Sequence, residues 1–167
     1  QHKLVEVADH VRGGDQPQLV TSMTYETNFN LVLTTTDARG NTTTRAYDEH
    51  GNHTNTVHRS PSITERWEYN AFGQVTAHVL PDNGGGSRRR DVLTYYKSGP
   101  QLGYLQRRVV DSGGFNLSTT YAYDAAGNVV RVVDPRGNDT LYTVNALNQV
   151  VREQSRPVDT TNGPVRY

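Results

Sequence analysis

No cysteine occurs in the 167 residues, so no disulfide holds this chain together and the compartment cannot be read from redox chemistry. Long apolar runs are absent as well. None approaches the roughly 18 residues that a membrane-crossing helix needs, and no membrane span is expected. Net charge is missing too: 17 basic side chains balance 17 acidic ones. That argues against a nucleic-acid partner, because dedicated binders carry a basic excess or stripe. The N-terminus, Gln1-His2-Lys3-Leu4, has no initiator Met and no signal-peptide pattern, and it reads as the start of a fragment of something longer. Hydrophobic residues make up only 34% of the chain, with one Met and three Phe among them. A thick oily core is excluded. Strands that each bury one face against a continuing sheet remain open to such a chain, since its Val, Thr and Tyr suit a pleated, half-buried surface.

What the chain has in abundance is a repeat. Tyr47-Asp48-Glu49-His50-Gly51-Asn52 matches Tyr123-Asp124-Ala125-Ala126-Gly127-Asn128. Tyr69-Asn70-Ala71-Phe72-Gly73-Gln74 and Val144-Asn145-Ala146-Leu147-Asn148-Gln149 are softer copies, and Tyr25-Glu26-Thr27-Asn28-Phe29-Asn30 reads as the first. The intervals are 22 residues from Tyr25 to Tyr47, 22 from Tyr47 to Tyr69 and 21 from Tyr123 to Val144. Between copies sit Asp37-Ala38-Arg39-Gly40-Asn41 and Asp134-Pro135-Arg136-Gly137-Asn138. Fixed-period similarity of this kind marks a repeat architecture.

Each motif reads as a hairpin turn. Asp or Asn at its first position accepts a hydrogen bond from the backbone two residues on. Gly three residues later supplies a positive φ. Asn148 stands where the other copies have Gly, and Asn is the side-chain-bearing residue that best tolerates that conformation; Asn30 fits the same role. The tyrosines are expected on one strand face, near the tyrosine of the neighbouring repeat. No helical stretch is expected: Leu102–Val110 lacks a 3.6-residue apolar stripe and is broken by Gly103. The organisation reads as a leading strand or linker over 1–20, repeats over 21–156 and a tail over 157–167 leading into a further repeat. An atypical hairpin with a longer loop, at about 81–118, is read as part of the repeats and not as a domain boundary.

The motifs Tyr47-Asp48-x-x-Gly51-Asn52, Tyr123-Asp124-x-x-Gly127-Asn128, Asp37-x-x-Gly40-Asn41-Thr42-Thr43 and Asp134-Pro135-Arg136-Gly137-Asn138 resemble the RHS/YD-repeat family, which includes bacterial rearrangement-hotspot toxins, the C-component of toxin complexes and teneurins. The stretch Tyr95 to Leu105 resembles a non-repeat hairpin of bacterial members. The resemblance implies an all-β fold: consecutive antiparallel β-hairpins in a twisted sheet, a segment of a spiralling β-shell. It implies as partners the remainder of that shell, an enclosed C-terminal toxin domain and a secretion-system or toxin-complex component, with a secreted or cell-surface bacterial location. The alternative is an adhesion or carbohydrate-binding module of the same repeat. Asp134-Pro135-Arg136-Gly137 has the letters of a self-cleaving D-P-x-G segment found in family members, but it falls in register as an inter-repeat turn, so that role is not carried over.

Chemistry-bearing groups weigh less than their bland readings. His50, His53 and His58 beside Glu49 have some metal-ligand character, but on a strand odd and even residues face opposite ways, and no metal or cofactor is expected. Arg88-Arg89-Arg90 reads as a solvated loop or strand edge. Trp67 with Tyr69 is the candidate glycan platform. No nucleophile elbow, Walker or dinucleotide motif occurs, and no catalytic residue is expected.

Overall fold

The computed structural model describes residues 4–9, 19–59, 63–82 and 84–156. All regular structure among them is β, so the expected all-β class of consecutive antiparallel hairpins holds. The chain forms two units, residues 1–88 and 89–167, so the division falls within the stretch that breaks the repeat period. The expected tail, 157–167, lies outside the described residues, as do 10–18 of the leading segment.

The first unit holds β1 (Leu4–Asp9), β2 (Leu19–Tyr25), β3 (Val32–Thr36), β4 (Thr42–Tyr47), β5 (His53–Val57), β6 (Thr64–Tyr69) and β7 (Val75–Asp82). Each strand pairs antiparallel with the next. β-Branched side chains explain why segments this short stay extended. Thr34, Thr35 and Thr36 lie opposite Thr44, Thr43 and Thr42, and hydroxyls pair across strands at 2.6 Å (Thr24–Thr34) and 2.9 Å (Thr36–Thr42). Such cross-strand pairs are the unit of sheet stabilisation.

The second unit begins with β8 (Arg88–Tyr95), whose first residue closes the preceding unit. β9 (Leu105–Val110), β10 (Leu117–Tyr123), β11 (Val129–Val133), β12 (Asp139–Val144) and β13 (Val150–Arg156) follow. These too pair antiparallel in chain order.

The interior is as thin as the composition requires. Among the described residues only Ala77 and Val109 are buried hydrophobics, and only Thr56 and Asp91 are buried polar ones. Large apolar side chains stand at loop tips instead, with Phe72, Leu147 and Phe115 exposed by 77%, 76% and 85%. Each hairpin therefore rests mainly on its neighbours, the energetics of a repeat array.

One irregularity recurs. The register shifts between Thr24 and Tyr25, Ala46 and Tyr47, Glu68 and Tyr69, Thr94 and Tyr95, Ala122 and Tyr123, and Thr143 and Val144. Every tyrosine position of the repeat thus sits at a β-bulge. A bulge sets two residues against one and changes which residues share a face. His53 pairs with Tyr47 and Thr56 with Arg45, so His53 and Thr56 share a face although three apart, and Thr56 Oγ1 lies 2.8 Å from His53 Nε2. Simple alternation fails there, which corrects the expectation that facing along this strand follows odd and even numbers.

Candidate functional site

The recurring turn is built the same way in every copy except the first, which closes one residue later, from Glu26 to Leu31. Gly51 N–H donates to the Asp48 carbonyl and Asp48 N–H to the Asn52 carbonyl. Asp48 Oδ1 accepts from the N–H groups of His50 and Asn52, and Asp48 Oδ2 from the Asn52 side-chain amide, all at 2.9 Å. Asp37, Asp124 and Asp134 repeat these bonds with Asn41, Asn128 and Asn138. Gly40, Gly51, Gly73, Gly127 and Gly137 have φ between 72° and 90°, and Asn148 takes the same place at 60°. In the first copy Glu26 substitutes for Asp, accepting from the N–H groups of Asn28, Phe29 and Leu31, and Asn30 has φ 57°.

The fifth residue of the turn has a role that the sequence reading did not assign, although its letters carry it. Where the first residue is Asp, the fifth is Asn and donates its amide to the carboxylate. Where the first is Asn, the fifth is Gln: Asn70 and Asn145 donate to Gln74 Oε1 and Gln149 Oε1 at 3.0 and 3.1 Å. The amide of the fifth residue holds the Asp48 and Asp124 carboxyls below the ordinary carboxylate range, helped by backbone N–H groups. Asp37 and Asp134 are lowered in the same way, and in Glu26 the Leu31 N–H is the main cause. Asp48→Asn alone should lower the melting temperature, because two amides then face each other with one acceptor lost. Adding Asn52→Gln should recover most of the loss, as the natural Asn–Gln copies do. Thermal unfolding of the two variants checks this; no recovery in the double variant would contradict it.

Three of the repeat tyrosines have one job in common. Tyr47 Oη donates to the Val32 carbonyl at 2.7 Å, Tyr69 Oη to His53 at 2.7 Å and Tyr123 Oη to Leu105 at 2.8 Å. Val32, His53 and Leu105 are the register partners of Tyr25, Tyr47 and Tyr95. Each hydroxyl therefore ties its hairpin to the bulge of the hairpin before it. Burial raises the Tyr47, Tyr69 and Tyr123 phenols above their ordinary value, so all remain neutral donors at physiological pH. Tyr69→Phe should cost about 1 kcal/mol, the net value of one such bond. Val144→Tyr, at the copy that lacks the hydroxyl, should gain a similar amount by reaching Val129, the partner of Tyr123. Urea denaturation of both variants reads the two signs.

The expectation that tyrosine rings of neighbouring repeats stack is met only in part. In the second unit Tyr123 takes the edges of Tyr104 and Tyr96 at 5.1 and 6.3 Å. In the first unit the ring contacts run instead Tyr47–His53–Trp67–His78, at 5.6, 4.5 and 4.8 Å between centroids. This bears on the glycan platform. Trp67 of β6 meets the tilted ring of His53 of β5 and stacks on His78 of β7, at an interplanar angle of 10°, so the face against His78 is not open to a sugar ring. Tyr69 is tied to His53. Wild type and Trp67→Ala should give the same glycan-array signal; a sugar bound only by wild type would contradict this.

His50 is a loop-tip residue against Glu49, away from the His53 stack. His58 and His78 both approach Glu65, at 3.6 and 2.9 Å. No metal-binding group of three or more His, Cys, Asp or Glu exists among the described residues. The arginine run is not a solvated loop. Its residues open β8, Arg88 donates to the Thr64 carbonyl, and Arg89 forms a fork on Asp91 at 2.9 Å. Asp91 was not singled out from the sequence. It is 4% exposed, accepts also from Arg108 at 3.4 Å and from Asp111 N–H at 3.1 Å, and is pushed down to about 2, chiefly by Arg89.

An array of bulged hairpins with side-chain-closed turns, three of them hooked to the preceding hairpin by a tyrosine hydroxyl, defines a β-hairpin repeat protein. Residues 106–139, which contain the Asp124 and Asp134 turns, match the family described as RHS Repeat. No curated protein matches the sequence. Among solved structures, the fold resembles a chain in "Crystal Structure of TcdB2-TccC3-Cdc42" with a TM-score of 0.65 at 19% identity, over 83% of this chain and 7% of that one. A second, "Crystal Structure of TcdB2-TccC3-TEV", aligns at a TM-score of 0.41 and 11% identity, over 98% of this chain and 11% of that one. The chain thus spans about a tenth or less of the solved chains it matches.

Proposed function

We propose that the chain is a structural segment of an RHS-type β-shell that encloses a C-terminal toxin cargo before delivery, with no catalytic part of its own. The observation that carries this reading is the use made of the repeat's polar residues. Asp48, Asp124, Asp37 and Asp134 are engaged by their own turns, and Tyr47, Tyr69 and Tyr123 by the preceding hairpin. Groups committed in this way shape a wall and are not left over for chemistry. The thin interior and the apolar loop tips support the same reading: Phe72 and Leu147, each about three-quarters exposed, are liabilities alone and contacts in a larger assembly. The partners on this reading are the rest of the shell, the enclosed toxin domain and a secretion-system or toxin-complex component, and the location is secreted or cell-surface in a bacterium.

Limited proteolysis of the full gene product tests the proposal. A C-terminal domain that survives protease within the intact product, and is cut when expressed free, is the expected result. Equal cleavage rates in the two settings would overturn it.

A further inference from the structure

The second unit carries a feature that a bare wall does not need. Register places Thr94, Arg107, Thr120 and Val133 in one row across β8 to β11, and Ala122 opposite Arg131 in the next. These side chains line a polar cavity of about 420 Å³, together with Tyr96, Gln106 and Tyr121. Its floor over β10 is low because Thr120 and Ala122 are small. Its walls are two guanidiniums, Arg107 on β9 and Arg131 on β11. Their strands lie two spacings apart, about 10 Å, and the two residues are staggered by two positions along β10, about 7 Å, so their backbones stand about 12 Å apart.

Both arginines are held by one nitrogen. Arg107 Nε donates to Ser118 Oγ at 2.8 Å, and Arg131 Nε to Asp139 Oδ1 at 2.9 Å. Arg131 is thereby in a salt bridge with Asp139 that leaves part of its fork facing the trough, whereas the Arg107 guanidinium has no carboxylate partner among the described residues. Both guanidiniums are planar donors in the geometry that carboxylates accept, on side chains fixed in position but open to solvent. The charge of this face is one-sided. Arg152 of β13 shares it, through Arg131 opposite Leu141 and Thr143 opposite Arg152, and Asp139 is the one carboxylate among its described strand residues. Arg108, one residue from Arg107, faces the other way and is consumed by Asp91. Three arginines, Arg107, Arg131 and Arg152, thus share this face with one carboxylate, Asp139.

We infer that this trough binds an acidic peptide segment, with carboxylates about 12 Å apart seated on Arg107 and Arg131. Charge complementarity favours that occupant: three arginines share this face with a single carboxylate. The inference stands apart from the shell reading, since a scaffold without a ligand would need no such trough.

Fluorescence anisotropy of a labelled Glu-rich peptide added to the full chain tests it, with the Gln counterpart of the peptide and inorganic phosphate as comparison probes. Saturable binding of the Glu peptide is expected, weakening as salt rises. Arg107→Gln and Arg131→Gln should each weaken it about tenfold, the value of one charge-assisted contact, and Arg39→Gln, in a turn of the first unit, should leave it unchanged. Arg107→Gln loses only the Ser118 bond, and a melting curve shows that the variant is folded. Equal binding of the Gln peptide, or variants that bind like wild type, would overturn the inference. Displacement of the peptide by phosphate at equal concentration would overturn the peptide as occupant.

Discussion

Gly127→Ala should cost about 3 kcal/mol, whereas the same change at Gly40 should cost about 1. The two glycines share a turn position and a positive φ, 90° and 78°, so the strain of placing Ala in the left-handed region, about 1–2 kcal/mol, is common to both. Surroundings separate them. A Cβ on Gly40 meets nothing within 4 Å, while one on Gly127 would stand 2.6 Å from Tyr104 Oη and 3.1 Å from Cζ. Tyr104 is held in turn by the edge of Tyr123. Moving it adds an overpacking cost of about 1–3 kcal/mol. Gly51 falls between, with the Phe29 ring at 3.3 Å. Gly40→Asn should be milder than Gly40→Ala, as Asn148 already serves at the equivalent position. Urea denaturation of the four variants gives the order; equal losses at Gly127 and Gly40 would show that φ alone governs the site.

The second large effect belongs to Asp91. Asp91→Ala should destabilise by about 2–3 kcal/mol. A buried acceptor of four hydrogen bonds is lost, including the fork from Arg89 and the bond that anchors Asp111. The figure lies below that for a wholly buried pair because Arg89 and Arg108 are about half exposed and can turn to water. The pH dependence has a definite sign. Asp91 lies at about 2 in the folded chain against an ordinary 3.8, so its contribution is present above pH 4 and is lost as pH falls toward 2. By linkage that is at most about 2 kcal/mol, reduced further by solvent screening. The turn carboxylates Glu26, Asp37, Asp48, Asp124 and Asp134 are also lowered and act in the same direction. Asp91→Asn should therefore be less stable than wild type at pH 6 and approach it near pH 2. A constant difference across that range would contradict this origin.

These residues also mark how far the sequence could be read. The turns were legible, since Asp, Gly and Asn at fixed offsets act within five residues, and the backbone geometry at Gly51 or Asn148 follows from local sterics. Strand positions followed from the same turns. The pairing of Asp with Asn and of Asn with Gln at the fifth position was written in the letters, but its meaning needed the hydrogen bonds. Other features are properties of register. The bulge before each tyrosine cannot be seen until two strands are aligned, and it brings His53 and Thr56 to one face. The tyrosine hydroxyl reaches a carbonyl 15 to 18 residues earlier, and a carbonyl has no signature in sequence. Asp91 sits at the end of Arg88-Arg89-Arg90 and reads as one more surface charge until Asp111 is folded against it. Trp67 reads as an open platform until strand order places His53 and His78 beside it. Arg107 and Arg131 are 24 residues apart and become the walls of one trough only because β10 runs between them.

Electron cryomicroscopy of the full gene product tests the central claim most directly. The account predicts that these strands form part of the wall of a closed shell, with density for a further domain inside it. Strands lying outside any enclosure, with both faces in solvent, would contradict it.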